Sequence, residues 1–152
     1  MENKLIMSYI NDIPAEDWIE ANHPENGLFR VYWTEDEEVV SLENTGLPIR
    51  YEWYYKDGKR ADGVSKGWFS DGALKHEQYY QNGMQHGKDI WYYQTGQKSE
   101  EGVYLNNFHH GKCTYWNEDG EKKLEVIFRR GKKVAERTKN KTDKQEIVSL
   151  IT

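Results

Sequence analysis

Residues 79–96 read YYQNGMQHGKDIWYYQTG, and this stretch gives the clearest indication of the fold. Aromatic residues favour β-strands, and an Asn-Gly pair such as Asn82-Gly83 closes tight hairpins because both residues tolerate positive φ. The stretch therefore predicts a strand from Lys88 to Tyr93 that reaches a turn at Gln94-Thr95-Gly96. A second strand is predicted from Gln97 to Tyr104.

The same pattern recurs along the chain with a period of about 24 residues, which is in the range typical of repeat proteins. Three series of turn residues share this spacing: Gly63, Gly87 and Gly111; Gly72, Gly96 and Gly120; Gly83, Asn107 and Gly131. Asparagine is the residue that most readily replaces glycine where φ must be positive. Three coincident series indicate a repeat array with two strands per unit. The predicted fold is all-β, an elongated antiparallel meander of β-hairpin repeats, with no helical apolar stripe between residues 27 and 135.

Three regions are expected. Residues 1–26 form an N-terminal flank with a short helix from Pro14 to Asn22, since Pro favours a helix start and Pro24 would end it. Residues 27–135 form the repeat sheet, with the earliest repeats irregular as terminal repeats usually are. Residues 136–152 form a polar, basic tail whose apolar end, 147–151, is an edge strand, a docking peptide or a frayed terminus.

The composition favours a thin sheet over a thick-layered globule. Of 152 residues only 36% are hydrophobic, yet 14% are aromatic, including six Trp and eleven Tyr. Tyr and Trp combine apolar area with a polar tip and suit half-wet faces. No apolar run reaches the roughly 18 residues that span a bilayer, and the N-terminus lacks a signal-peptide pattern. The single cysteine, Cys113, excludes an internal disulfide, so a reducing cytoplasm is the expected compartment.

Charge is distributed unevenly along the chain. Residues 1–58 contain 4 basic and 13 acidic side chains, whereas residues 132–152 contain 6 basic and 3 acidic ones. An acidic front disfavours nucleic acid or anionic lipid as the main ligand and leaves room for a basic protein partner.

No catalytic, cofactor or metal site is expected. His86 and His110 occupy equivalent places two strands apart, about 9.6 Å in a regular sheet, which is too far to share one zinc ion. The acidic run 35–38 lies in a predicted loop, where burial would not perturb its pKa values. Cys113 lacks the motif of a nucleophile, and the glycines close hairpins without preceding a helix, as a phosphate-binding loop requires.

The array resembles the MORN repeat in its bacterial variant form. The match is carried by Tyr79-Tyr80-Gln81-Asn82-Gly83, His86-Gly87-Lys88 and Trp91-Tyr92-Tyr93-Gln94-Thr95-Gly96, and it covers residues 53–131. The variant repeats are similar to those of the YwqK-type antitoxins of toxin–antitoxin pairs. This resemblance implies a protein that binds and neutralises a partner and has no catalytic residues.

The sequence therefore predicts a non-enzymatic protein-binding module. Aromatic side chains should point to both faces of a single-layer sheet, so some rings should be exposed, and exposed Trp and Tyr are common in binding hot spots. The predicted partner-binding residues are Trp53, Tyr55, Trp68, Trp91, Tyr93, Trp116, Glu35, Asp36, Glu37 and Glu38.

Two alternatives stay open. A scaffold or membrane-surface adaptor would bind anionic lipid through the basic segment from Arg129 to Lys144, since such a run attracts phosphates. An enzyme with a groove between strands has less support. The partner of the first hypothesis is a protein, such as a toxin encoded nearby, and open sheet edges would also allow pairing between copies of the chain.

Overall fold

The described part of the chain folds into one antiparallel sheet, an open meander. The computed structural model describes residues 24–33, 39–41, 46–139 and 145–148. Its strands are β1 Gly27–Tyr32, β2 Val39–Ser41, β3 Ile49–Lys56, β4 Lys59–Arg60, β5 Gly63–Trp68, β6 Leu74–Gln81, β7 Met84–Tyr92, β8 Lys98–Leu105, β9 Phe108–His109, β10 Gly111–Trp116, β11 Lys122–Arg129, β12 Lys132–Lys139 and β13 Gln145–Val148. These residues contain no helix, which confirms the all-β prediction for the part of the chain described. The predicted helix over residues 14–22 lies outside that part.

Eleven strands follow one path across the sheet, in the order β13-β12-β11-β10-β8-β7-β6-β5-β3-β1-β2. The short strands β4 and β9 pair antiparallel with the ends of β3 and β8. Chain neighbours are sheet neighbours along most of the path, because each tight turn returns the chain beside the strand it has just left. At one edge the order changes: β1 pairs with both β2 and β3.

The turns carry the residues that positive φ requires. Asn82 and Gly83 have φ of 52° and 74°, and Asn106 and Asn107 have φ of 50° and 68°. Asparagine at 107 therefore occupies the left-handed region, as its place in the glycine series predicts.

Side chains at the hairpin ends join one hairpin to the next. The Asp62 carboxylate accepts a hydrogen bond of 2.6 Å from the backbone N–H of Asn82, and the Asn26 amide oxygen accepts one of 3.0 Å from Asp57. The Asn107 amide oxygen accepts a bond of 2.8 Å from the N–H of Gln85. The N–H groups of Asp57 and Asn82 lie in turns and have no partner in the sheet ladder, so these bonds satisfy them. All three bonds join residues of different hairpins and so align successive hairpins.

The last described strands extend the sheet beyond residue 135. β12 continues to Lys139, and β13 pairs with it antiparallel, with Arg137 opposite Ile147. Of the alternatives for the apolar end, the backbone at 145–148 is that of an edge strand. No helix within the described ranges is long and apolar enough to cross a membrane.

Candidate functional site

Strand alternation divides the side chains between two faces. Successive residues of a strand point to opposite sides, and residues paired across strands point to the same side. We call the side that carries Phe29, Trp53, His76, Asp89 and Cys113 the core face. The opposite side, which carries Glu52, Lys66, Glu77, Glu101 and Glu125, is the ladder face.

Aromatic rings pack against each other on the core face. The rings of Phe29 and Trp53 lie 5.0 Å apart, and Tyr55 meets Phe29 edge-on at 6.0 Å. Together with Val31 these residues form the main cluster of buried apolar side chains. The described residues add no second layer to the sheet, and rings lying along its surface take the place of one.

A histidine continues this row of rings. His76 is 5% exposed, and its ring stacks on Trp91 with centroids 4.7 Å apart. Burial, together with the nearby charges of Lys75 and Arg60, lowers the pKa of His76 to about 4, so its imidazole is neutral at pH 7. Opposite it, Gly67 leaves room for the ring, because a Cβ there would lie 2.3 Å from the ring carbon Cε1 of His76.

Polar groups collect farther along the core face. Asp89 is 2% exposed, and its carboxylate accepts bonds of 3.2 Å from both Gln85 Nε2 and Trp91 Nε1. Burial raises its pKa, while the bonds to it act in the opposite direction. Both oxygens already have donors on the same strand, β7, so Asp89 is suited to a structural role.

The cysteine belongs to the same polar region. The Cys113 thiol is 1% exposed and lies 3.3 Å from Glu100 Oε1, to which it donates. Burial raises its pKa to about 12, and burial also raises the pKa of the neighbouring Tyr115. A neutral thiol is a poor nucleophile and a poor metal ligand, so this geometry suits a structural cysteine.

The histidines do not converge. His86 Nδ1 lies 3.1 Å from the Asn106 amide oxygen, and His109 Nε2 lies 2.6 Å from the Tyr104 hydroxyl. The His109 ring stacks on Phe128 at 4.8 Å. Over residues 24–33, 39–41, 46–139 and 145–148, no group of three or more His, Cys, Asp or Glu side chains is placed to hold a metal ion.

The ladder face carries a row of charged side chains that crosses the sheet. Paired positions run from Arg30 opposite Glu52 on β1 and β3 to Glu125 opposite Arg137 on β11 and β12. Arg30 Nη2 lies 2.7 Å from Glu52 Oε2, and Lys66 Nζ lies 3.8 Å from Glu77 Oε1. The row continues with Lys98, whose Nζ lies 2.5 Å from Glu101 Oε2. Farther along, Lys112 Nζ and Lys122 Nζ lie 3.6 Å and 3.2 Å from Glu125 Oε1.

Beside the charged row lies a row of exposed apolar side chains. Tyr54, Tyr79, Val103 and Ile127 each follow a ladder carboxylate by two positions and so share its face. Tyr54 is 55% exposed, and the other three are each 38% exposed. Large apolar side chains of this exposure, aligned across one face, are typical of an interaction surface.

The structure divides the residues that the sequence predicts as partner-binding. Trp53 and Tyr55 are 4% and 7% exposed and lie in the main cluster, so they support the sheet and present little ring surface. The other four rings, those of Trp68, Trp91, Tyr93 and Trp116, are half-buried. Tyr93 donates a bond of 2.7 Å from its hydroxyl to the Trp116 carbonyl, which ties these two positions together. The acidic run 35–38 lies outside the described residues.

Sequence reasoning missed the ladder-face set as a site. The signal was present, because Glu77, Glu101 and Glu125 recur at the period of the turn glycines, as do Tyr79, Val103 and Ile127. Alternation puts the two series on one face of each strand, but only the strand register shows that they line up across the sheet. The sequence matches no protein-family model, and a comparison with curated proteins gave no match.

Proposed function

We propose that the chain is a non-enzymatic protein-binding module that neutralises a partner protein, as an antitoxin or an immunity protein does. The observation that carries the proposal is the row of Tyr54, Tyr79, Val103 and Ile127, which is exposed on one face of an open sheet. Leaving such side chains in water costs free energy, and a partner that covers them recovers it. The proposed partner is a protein, such as a toxin encoded beside this chain.

We further propose that the meander is built from MORN-like hairpin repeats with the period of the turn glycines. Strands β6, β8 and β11 begin at Leu74, Lys98 and Lys122, which are evenly spaced at that same period. Each is preceded by a turn with a glycine at positive φ, namely Gly72, Gly96 and Gly120. A repeated hairpin places the same side chains on the same face at every second strand, which is how a continuous binding surface arises.

The proposal of a binding role is consistent with the chemistry of the core face. There, the carboxylate of Asp89 and the thiol of Cys113 are buried and hydrogen-bonded, whereas a catalytic acid or nucleophile must reach its substrate. A single buried free thiol also suits the reducing cytoplasm that we propose as the compartment.

The alternative of a lipid-binding adaptor rests on the basic segment from Arg129 to Lys144. Part of this segment is taken up by the sheet, because Lys133 pairs with Glu136 on β12 and Arg137 lies opposite Glu125. Such pairing reduces the positive charge available to lipid headgroups. Protein binding is therefore the better supported function.

The test is co-expression with the neighbouring reading frame. We expect the neighbour to arrest growth when it is expressed alone, growth to return when this chain is co-expressed, and the two proteins to purify together in a fixed ratio. If no protein co-purifies with the tagged chain from its native cells, the binding function is wrong. Flotation of the chain with phosphatidylserine vesicles would then favour the lipid alternative.

A further inference from the structure

The ladder face combines its apolar row with a surplus of positive charge. On strands β5 to β12 its described basic side chains outnumber its carboxylates by eight to three: Lys66, Lys88, Lys98, Lys112, Lys122, Arg129, Lys132 and Arg137 against Glu77, Glu101 and Glu125. This is opposite in sign to the whole chain, whose net charge is −5. A local field of this sign attracts acidic groups although the molecule as a whole repels them.

The basic groups also lie farther out than the acidic ones. The Lys112 and Lys122 side chains are each 57% exposed, whereas the Glu125 side chain between them is 19% exposed. The Lys66 side chain is likewise more exposed than that of its partner Glu77, at 39% against 20%. An approaching partner therefore meets ammonium groups first, and the carboxylates lie beneath them.

A shallow groove concentrates these features. It has a volume of about 240 Å³ and is lined by Lys88, Val103, Lys112, Thr114, Trp116 and Lys122, together with Glu101 and Gly102. Val103 lies opposite Lys88 in the strand pairing. Within the described ranges Lys88 has no carboxylate within ion-pair distance, so its ammonium is available to a ligand.

From this surface we infer that the ladder face docks an acidic polypeptide segment that also carries apolar side chains. The inference rests on the proposed binding function and names the face and the partner chemistry. The ammonium groups of Lys88 and Lys112 would pair with the segment's carboxylates, and Val103 and Ile127 would contact its apolar side chains.

The apolar row argues for a polypeptide over a nucleic acid. Phosphate chains are bound by basic and aromatic side chains, whereas aliphatic Val103 and Ile127 offer nothing to a phosphate. Glu77, Glu101 and Glu125 repel phosphates along the same row. Crossing from β6 to β11 spans four strand intervals, about 19 Å, which an extended segment covers with about six residues.

The experiment uses the full chain and a defined probe: a fluorescein-labelled 12-residue peptide that alternates Asp with Val or Tyr. We expect saturable binding by fluorescence anisotropy, and at least tenfold weaker binding to K88E/K112E. The double variant K56E/K132E makes the same change in net charge at two exposed lysines that lie on the same face at hairpin turns but outside the groove, and it should bind within twofold of the unmodified chain. Matched urea melts confirm that each variant is folded.

The apolar part of the contact has its own pair of variants. Val103→Ser should weaken binding of the same peptide at least threefold. Phe108→Ser replaces a side chain that is 58% exposed on the same face but at a hairpin end outside the groove, and it should leave binding within 1.5-fold. A peptide with Lys in place of every Asp should not bind.

Equal losses in the two charge variants would overturn the inference. So would tighter binding of a 12-nucleotide RNA or of phosphatidylserine vesicles to the same groove. The co-purification test separates this result from failure of the proposed function: a partner that binds K88E/K112E undiminished leaves the binding role intact and removes only the ladder face from it.

Discussion

Gly67 is the residue on which the row of core-face rings most depends. It lies opposite His76, and a Cβ at position 67 would lie 2.5 Å from the imidazole Nδ1 and 2.9 Å from Cδ1 of Tyr51. Real Cβ atoms do not approach ring atoms this closely, so the rings must move, and His76 would lose its stacking on Trp91. Overpacking of this kind typically costs about 1–3 kcal/mol.

We therefore expect Gly67→Ala to lower the free energy of unfolding by about 2 kcal/mol in urea denaturation. Gly102→Ala is the matched control, since a Cβ there would meet Cys113 Sγ at the more tolerable distance of 3.1 Å. Neither glycine has a positive φ, so both substitutions test space and not backbone strain. An equal loss of stability in the two variants would contradict the packing described for His76.

The same histidine predicts how stability depends on pH. Its pKa is about 4 in the folded protein and about 6.5 in the unfolded chain, so the unfolded state binds more protons between these values. The stability that depends on neutral His76 is complete above pH 6.5 and is lost as the pH falls through 4, up to about 3 kcal/mol. Asp89, whose pKa is raised, acts in the opposite direction.

Replacement of His76 should therefore flatten the acid side of the stability curve. In urea melts from pH 7.5 to 4.5, we expect the unmodified chain to lose more stability than His76→Gln does. His110→Gln replaces an exposed histidine and should follow the unmodified chain. Parallel curves for all three proteins would show that His76 is not buried in its neutral form.

At the scale of the elements, hydrogen bonds join one hairpin to another. One kind of acceptor is the side chain of the residue just before the first glycine of a hairpin. Asp62 precedes Gly63, and its carboxylate accepts the 2.6 Å bond from Asn82, a turn residue with φ of 52°. We expect Asp62→Ala to cost about 1 kcal/mol, because a turn N–H loses its acceptor. Glu118→Ala, which alters an exposed turn residue outside these bonds, should change the free energy of unfolding by less than about 0.5 kcal/mol.

The strands and turns were accessible from sequence because their signals are local. Asn82-Gly83 and Asn106-Asn107 have the positive φ that hairpin turns need, and this preference belongs to the residues themselves. The strand from Lys88 to Tyr93 was predicted too short, since β7 begins at Met84. Residue 87 is a glycine with φ of 108°. Its place in the glycine series predicts a turn residue, but the strand continues through it. The pairing of β1 with both β2 and β3 carried no such local signal.

At the scale of the whole molecule, exposure could not be read from residue type. Trp53 and Tyr55 look like binding residues in sequence, yet Phe29 and Val31 from another strand pack beside them. Val103 and Ile127 look like core residues, yet they are exposed because their face has no covering layer among the described residues. The burial of a side chain depends on which strands become neighbours. In a single-layer sheet, the side chains of one strand are covered mainly by those of the adjacent strand.

Consecutive tyrosines allow the binding face to be tested directly. Tyr79 lies on the ladder face and is 38% exposed, whereas Tyr80 points to the core face, where its hydroxyl accepts a bond of 2.5 Å from Arg60 Nη1. The two residues are adjacent in the chain but point to opposite faces of the sheet. Each tyrosine can be replaced in turn with the photo-crosslinking residue p-benzoylphenylalanine. Crosslinking from the two faces is then compared with the same reactive group.

The decisive measurement is photo-crosslinking of these two variants to the partner that co-purifies with the chain. We expect a covalent product of the summed mass from position 79 and none from position 80, because we propose that the partner binds the ladder face. Crosslinking from position 80 alone, or equally from both, would contradict the assignment of binding to the ladder face.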